Sequence, residues 1–271
     1  ATKENPFWIH FGAGNIFRAF QANDMQKILN SGKMDRGLIV AEGFDYEIVQ
    51  KMNRPHDDYT ILVTLKANGT IEKTVVGAVV ESCVLDSEDD AEYARLKEIF
   101  CKDSLQMCSF TITEKGYSLV DGKGEMLPAV VADMANGPKK PASYIGKVAS
   151  LLVTRYENGA APVSMVSMDN CSHNGDKLYA AINAFAEGWA KNGLVEEGFV
   201  DYIAKPFNKD QIKEKLDIVF KNSNYTSQGS NETEIRNEEP SEVKTETLKY
   251  DPIVDRFKDV PAYVVGSDDD K

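Results

Sequence analysis

The chain has 271 residues, enough for one large or two small domains, and carries a formal net charge of −12 with an isoelectric point near 4.8. Such an acidic chain repels phosphates, which excludes nucleic acids and anionic membrane surfaces as partners. No apolar run approaches the roughly 20 residues of a membrane span, and the polar first residues predict no secretory signal. The four cysteines lack a CxxC pair and metal-type spacing, which predicts reduced thiols, no metal site and a cytoplasmic location.

The first predicted elements are a strand, a glycine turn and a helix. An apolar run ends at Phe11-Gly12-Ala13-Gly14-Asn15, where Gly12 allows a tight turn and Gly14 lets a pyrophosphate approach the bare backbone. Free N–H groups at the start of the next helix, with Asn15 and Phe17 beside them, then hold the negative charge. Phe17 replaces the third glycine of G-x-G-x-x-G, and glycine turns of this kind also occur without a ligand.

An acidic residue follows the second predicted strand. Residues 37–41 predict a buried parallel strand, and Glu42 stands at its carboxyl end, after a helix over residues 23–30. A carboxylate there can accept hydrogen bonds from both ribose hydroxyls and repels a 2′-phosphate, which favours NAD over NADP. Asp45 and Glu47 are rival candidates, and a solvated loop is the alternative interpretation for all three acids.

The rest of the first two hundred residues alternates between strands and helices. Two β-rich runs flank Asn68-Gly69, a strong hairpin signal. In chain order, the predicted strands are 59–65, 74–80, 107–113 and 162–168, and the predicted helices are 91–100, 143–156 and 176–191. Buried strands that alternate with helices predict an α/β fold, a doubly wound Rossmann-type parallel sheet with a β-hairpin insertion.

The C-terminal segment has a different composition. We divide the chain into a nucleotide-binding domain over residues 1–204, a charged helix with a flexible polar insertion over 205–249, and a closing segment over 250–271. Residues 222–247 are rich in Ser, Asn, Thr and Glu and offer almost nothing to bury, which predicts a mobile surface loop.

A second group of polar residues follows the strand predicted at 162–168. Asp169, Asn170, His173 and Asn174 lie between this strand and the next helix, at the edge where parallel sheets bind ligands. The amide of Asn170 can donate to a carbonyl oxygen that gains negative charge, and His173 can exchange a proton. The alternative is that these residues only cap the helix and brace the turn.

Three segments resemble the polyol-specific long-chain dehydrogenases, which include mannitol 2-dehydrogenase and hexuronate reductases such as fructuronate reductase. Residues 11–21 are similar to the nucleotide-binding opening of that family, and residues 109–117 to its middle strand and turn. Residues 167–175 resemble its S-C-D-N-x-x-x-N-G motif, with Met168 in place of the usual cysteine. The family also lacks the third fingerprint glycine, as this chain does at Phe17.

The resemblance implies NAD(P)-dependent interconversion of a secondary alcohol and a ketone on an open-chain sugar or sugar acid, without a metal. It places Asn170 at the reacting oxygen and leaves open whether the substrate is of the mannitol or the hexonate type. The remaining positions that it implies are Gly12, Gly14 and Phe17 at the pyrophosphate, Glu42 and residues 45–47 at the adenosine ribose, and Thr113, Glu114 and residues 115–117 beside the nicotinamide.

One family motif has no counterpart here. The general acid/base of the family is a lysine in a K-x-x-x-x-N-x-x-H motif of a helical second domain, and no segment of this chain matches it. Residues 250–257 faintly resemble the segment that closes the first domain of the family. We therefore expect the chain to bind a nucleotide but to turn over poorly by itself, and a non-catalytic nucleotide-binding or regulatory module is the alternative function.

Overall fold

The structure is a computed structural model that describes residues 1–203. These residues belong to one compact unit. The expectations for residues 205–249 and 250–271 lie outside the described residues.

A five-stranded parallel sheet forms the centre of the unit. Its spatial order is β5-β2-β1-β6-β7, so that β1 lies between β2 and β6. The strands are β1 Trp8–Phe11, β2 Leu38–Glu42, β5 Val79–Val84, β6 Met107–Phe110 and β7 Ser164–Ser167, and β3 Thr60–Leu65 and β4 Ile71–Val76 form a separate hairpin. Parallel pairing along the whole sheet aligns the carboxyl ends of the strands at one edge.

The helices lie on both faces of the sheet. The first runs from Asn15 to Asn30 and contains a π-helical turn at Arg18–Ala22, which separates α1 from α2. In chain order they are α1 Asn15–Phe17, α2 Asn23–Asn30, α3 Asp90–Phe100, α4 Thr113–Tyr117, α5 Pro128–Asn136, α6 Tyr144–Glu157, α7 Asn174–Lys191 and α8 Glu197–Ile203, with a second π-helical turn at Ile48–Asn53 and a 3-10 turn at Arg54–His56.

Strand residues alternate between two apolar cores, one on each face. Ile9 and Phe11 point to a core formed with α3, α6 and α7, and Trp8 points to a core formed with Phe17 and Met25 of the first helix. Burial on both faces explains why these strands are continuous apolar runs in the sequence. The α/β doubly wound Rossmann-type fold is thereby confirmed.

The hairpin prediction is correct, but the second β-rich run is not one strand. Asn68-Gly69 forms the turn, with Gly69 at φ +81°, and β3 pairs with β4 in antiparallel register. The run predicted at 74–80 divides at Gly77, where β4 ends and β5 begins in the main sheet. A Cβ on Gly77 would lie 2.5 Å from the ring of Tyr59, so a side chain at this position would have to displace that ring.

Candidate nucleotide-binding site

The turn after β1 contains two glycines with different surroundings. Gly12 has φ +106°, and a Cβ on it would lie 2.3 Å from the carbonyl oxygen of Thr111. The close approach of the neighbouring strand therefore requires glycine at this position. Gly14 is the N-cap residue of the first helix, with no side-chain cap, and a Cβ on it would meet no atom within 4 Å.

The next two predicted contacts lie at the start of the first helix. Asn15 is exposed, and its Oδ1 accepts a hydrogen bond of 2.8 Å from Arg18. Phe17 is 1% exposed, and its ring stacks on His10 of β1 at a centroid distance of 4.3 Å. Phe17, in place of the third glycine, packs the helix against the sheet.

Glu42 joins the glycine turn to the loop after β2. It is the last residue of β2 and is only 4% exposed. One carboxylate oxygen accepts 2.7 Å from the N–H of Ala13, and the other accepts from Phe44 at 2.8 Å and Asp45 at 3.2 Å. The carboxylate thus links the backbone of the glycine turn to that of the loop after β2. Its three N–H donors largely enclose it.

The rival acids lie on the surface of the same loop. Asp45 and Glu47 are both exposed. The side chain of Asp45 accepts a backbone hydrogen bond from Glu47, and Glu47 forms an ion pair with Lys51 at 2.6 Å. Of the three carboxylates, those of Asp45 and Glu47 are the accessible ones.

Asp169 occupies the equivalent position after β7 and binds the neighbouring turn. Its two oxygens accept from the N–H groups of Ile112 at 2.9 Å and Thr113 at 3.0 Å, and the Tyr117 hydroxyl donates to it as well. These bonds turn the chain into α4, with Thr113 at φ +63°. The strand predicted at 107–113 is therefore too long, because β6 ends at Phe110.

Of the other polar residues of this turn, one holds the backbone of the turn and the others are exposed. Asn174 donates to the carbonyl oxygen of Asp169 at 2.7 Å, which fits the bracing interpretation. Asn170 is exposed and makes no hydrogen bond with residues 1–203. His173 has an 81% exposed side chain and φ +55°, and among the described residues its ring pairs with Asp176 at 3.3 Å. Exposed Glu114 forms an ion pair with Lys177.

A buried tyrosine hydroxyl lies between the two acidic turns. The Tyr144 ring stacks on Phe44 at 4.6 Å, and its hydroxyl has no hydrogen-bond partner within residues 1–203. Burial raises the pKa of Tyr144, and the charges of Glu42 and Asp169 raise it further. A buried hydroxyl without a protein partner is uncommon in folded proteins.

His10, the one ionisable residue inside β1, was not among the residues predicted from the sequence. Its Nδ1 lies 2.7 Å from Ser109 Oγ, and its Nε2 lies 2.8 Å from Thr111 Oγ1. Trp8 Nε1 donates to the same Ser109 hydroxyl at 2.6 Å. The sequence signal that could have identified His10 was a polar residue within an apolar run. Its partners are Ser109 of β6 and Thr111 of the turn that follows. Burial lowers the pKa of His10 to about 3, so the ring is neutral at pH 7.

We expect His10 to make folding stability depend on pH. Between pH 6.5 and 3 the unfolded chain binds a proton at this residue that the folded protein does not bind, so the free energy of unfolding falls as the pH falls. The loss at pH 5 is about 2 kcal/mol. Urea unfolding from pH 7 to 4.5 should therefore show a flatter dependence for His10→Gln than for the wild type. The exposed His173→Gln is the control, and equal slopes for all three proteins would contradict the prediction.

The glycine turn between β1 and a helix, at the carboxyl edge of a parallel sheet of this strand order, defines a Rossmann-type nucleotide-binding domain. Residues 7–220 match the family described as the mannitol dehydrogenase Rossmann domain. The chain belongs to this family.

Individual relatives support the assignment. The D-mannonate oxidoreductase of Thermotoga maritima is 47% identical over 204 residues, which are 75% of this chain and 38% of that protein. The mannitol 2-dehydrogenase of Pseudomonas fluorescens, solved with NAD and D-mannitol, is 26% identical with a TM-score of 0.60. The match covers 73% of this chain and 39% of that one. A D-sorbitol dehydrogenase structure also supports the fold. It is 24% identical with a TM-score of 0.61, and the match covers 79% of this chain and 46% of that one. The chain spans less than half the length of each of these relatives.

Neither a metal cluster nor a membrane helix is found in the part of the chain that the structure describes. Among residues 1–203, no three His, Cys, Asp or Glu side chains are grouped so that they could hold a metal ion. No helix in that range is long and apolar enough to span a bilayer.

Proposed function

We propose that the domain binds NAD(H) along the carboxyl edge of its sheet, with the diphosphate at Gly14 and the first helix turn. The observation that carries this proposal is the open space at Gly14, where a Cβ would meet no atom, at a helix N-terminus without a side-chain cap. Free N–H groups at the start of a helix favour a negative group.

We propose that Asp45 is the main contact to the adenosine ribose and that Glu42 mainly holds the glycine turn. Glu42 is buried and accepts three backbone hydrogen bonds, whereas Asp45 is exposed on the same loop. A carboxylate at the ribose repels a 2′-phosphate, which favours NAD over NADP.

The two acids can be separated by substitution. Asp45→Ala should raise the Kd for NADH by about 10-fold and leave that for NADPH unchanged or lower, because it removes a ribose acceptor and a negative charge. Glu42→Ala should weaken both nucleotides equally, because it releases the N–H of Ala13 from its acceptor. Calorimetric titration of both variants measures this. A selective loss of NADH in Glu42→Ala would assign the ribose to Glu42, and Glu47→Ala is the matched control for an exposed acid of this loop.

We further propose that the enzyme containing this domain interconverts a secondary alcohol and a ketone on an open-chain sugar or sugar acid. The relatives named D-mannonate oxidoreductase and mannitol 2-dehydrogenase support this substrate class. When bound, the nicotinamide supplies the hydride acceptor or donor. Asn170, which is exposed and free of partners in residues 1–203, can donate its amide N–H groups to the reacting oxygen, while Asp169 holds the turn.

A proton must also move in such a reaction, and His173 is the candidate acid or base in the described part. Its position in the turn after β7 supports this role, although its ring contacts only Asp176 there.

The four cysteines form no disulfide, which supports a cytoplasmic location.

Titration of the whole chain with NADH and then NADPH in a calorimeter tests the nucleotide proposal. Saturable binding with a lower Kd for NADH is the expected result. A folded chain that binds neither nucleotide would overturn the proposal, and equal affinity for both would overturn the preference for NAD.

A further inference from the structure

The β3–β4 hairpin exposes an apolar face that no part of residues 1–203 covers. The exposed fractions are 65% for Ile61, 50% for Val63, 75% for Leu65, 59% for Ile71 and 62% for Val75. The antiparallel register places Ile61 opposite Val75 and Leu65 opposite Ile71, so these five side chains share one face. We call these five residues the hairpin face.

The opposite face of the hairpin is already used for folding. Leu62 and Val76 point to the other side and pack in the core with Phe17 and Met25. Side chains alternate along a strand, so burial of one face explains why Leu62 and Val76 are apolar. It does not explain why the residues of the hairpin face are apolar. Exposed sheet faces normally carry polar residues at these positions.

We propose that the hairpin face is an interface between two copies of this chain. The five side chains expose roughly 500–600 Å² per copy, so a symmetric pair buries about 1,000–1,200 Å², the lower limit of a specific interface. A two-fold axis presents the same residues from both copies, and an aliphatic face of Ile, Val and Leu is complementary to itself.

Charge also favours contact at this hairpin. The whole chain has a net charge of −12, so two copies repel each other over most of their surfaces. Residues 59–77 contain only Lys66, Glu72 and Lys73 as charged residues, and Lys66 pairs with Glu72 at 2.6 Å. Lys73 stands opposite Val63 and can extend its ammonium to the rim. The hairpin is therefore a local surface without the acidic excess.

The edges of the hairpin leave a second geometry open to the same pair of copies. Within the described part of the chain, β3 and β4 pair only with each other, so each has one free edge. Free edges with apolar side chains favour association with another strand. Pairing through an edge would leave the hairpin face exposed, so the substitutions below test the face-to-face pair.

The test is the mass of the whole chain in solution, by sedimentation velocity from about 1 to 100 µM. A dimer of twice 30.0 kDa that dissociates on dilution is the expected result. Val63→Lys should raise the dimer dissociation constant by about 100-fold or more, because it buries an unpaired ammonium beside Lys73. Val131→Lys is the matched control, since Val131 of α5 is also 50% exposed but lies outside the hairpin, and it should leave the dimer intact.

A second variant covers the case in which Val63→Lys does not fold. Ile61→Thr keeps a β-branched residue in β3 and should weaken the dimer by about 10-fold with an unchanged melting temperature. A chain that is monomeric at 100 µM would overturn the proposal and leave the face to a different partner. A dimer that persists unchanged in both variants would place the interface elsewhere and would also overturn it. Neither result depends on nucleotide binding.

Discussion

We expect Gly14→Val to abolish measurable NADH binding, with at least a 100-fold increase in Kd, and to change the melting temperature by only a few degrees. The branched side chain would fill the space where the diphosphate is proposed to meet the backbone. In the protein alone a Cβ at this position meets no atom within 4 Å, so we expect a cost to folding of about 1 kcal/mol for the N-cap position. Calorimetric titration and thermal unfolding of one preparation give both values.

Gly12→Ala is the matched control, because the two glycines lie in the same turn. Its Cβ would lie 2.3 Å from the Thr111 carbonyl at a backbone angle of φ +106°, so the variant should lose about 2–4 kcal/mol of stability. The two variants therefore separate a glycine needed for folding from one needed for the ligand. Wild-type NADH affinity in Gly14→Val would refute the assignment of the diphosphate to this turn.

The second large effect is expected at Arg155, at the end of α6. Its guanidinium is 1% exposed and donates to five carbonyl oxygens at 2.7 to 3.2 Å. The acceptors belong to Phe100, Lys102, Leu105, Ala161 and Pro162. Arg155→Leu leaves these buried carbonyls without their donor, and we expect a loss of about 3–5 kcal/mol.

Urea unfolding of Arg155→Leu measures this loss. Arg36→Leu is the control, because Arg36 lies nearer the surface. Its contacts are a hydrogen bond of 3.4 Å to Asn5, an ion pair with exposed Asp35 at 3.4 Å and a ring contact with Phe7. It should lose less than about 1 kcal/mol. Similar losses in both variants would mean that the carbonyl cluster does not depend on Arg155.

The layers of the fold could be predicted from the sequence, because each buried parallel strand is an apolar run with turn residues on both sides. Strand ends were less predictable. The break at Gly77 lies inside a continuous apolar run, so periodicity cannot separate β4 from β5. The end of β6 is set by Asp169, which binds the N–H groups of Ile112 and Thr113 from a distant part of the chain. Local patterns contain no information on such a contact.

The candidate site shows the same limit. The sequence predicted that Gly12, Glu42 and Asp169 lie at the carboxyl edge, and the structure places them there. It did not predict that Glu42 and Asp169 are occupied by backbone donors, because their partners Ala13 and Ile112 are defined only by the folded sheet. His10 and Arg155 were missed for the same reason, since each is a polar residue whose partners are remote in sequence.

The position of β1 in the middle of the sheet affects the order in which the chain can fold during synthesis. β1 pairs through Trp8–Phe11 with Met107–Phe110, about one hundred residues later. At ribosomal speeds the first strand waits about 5–20 s for this neighbour, with one edge uncovered. The hairpin and the β1–β2 pair can form in that interval, but the sheet cannot close around its central strand until β6 has emerged. Exposure of β1 to chaperones and to other nascent chains is therefore greatest before β6 has emerged.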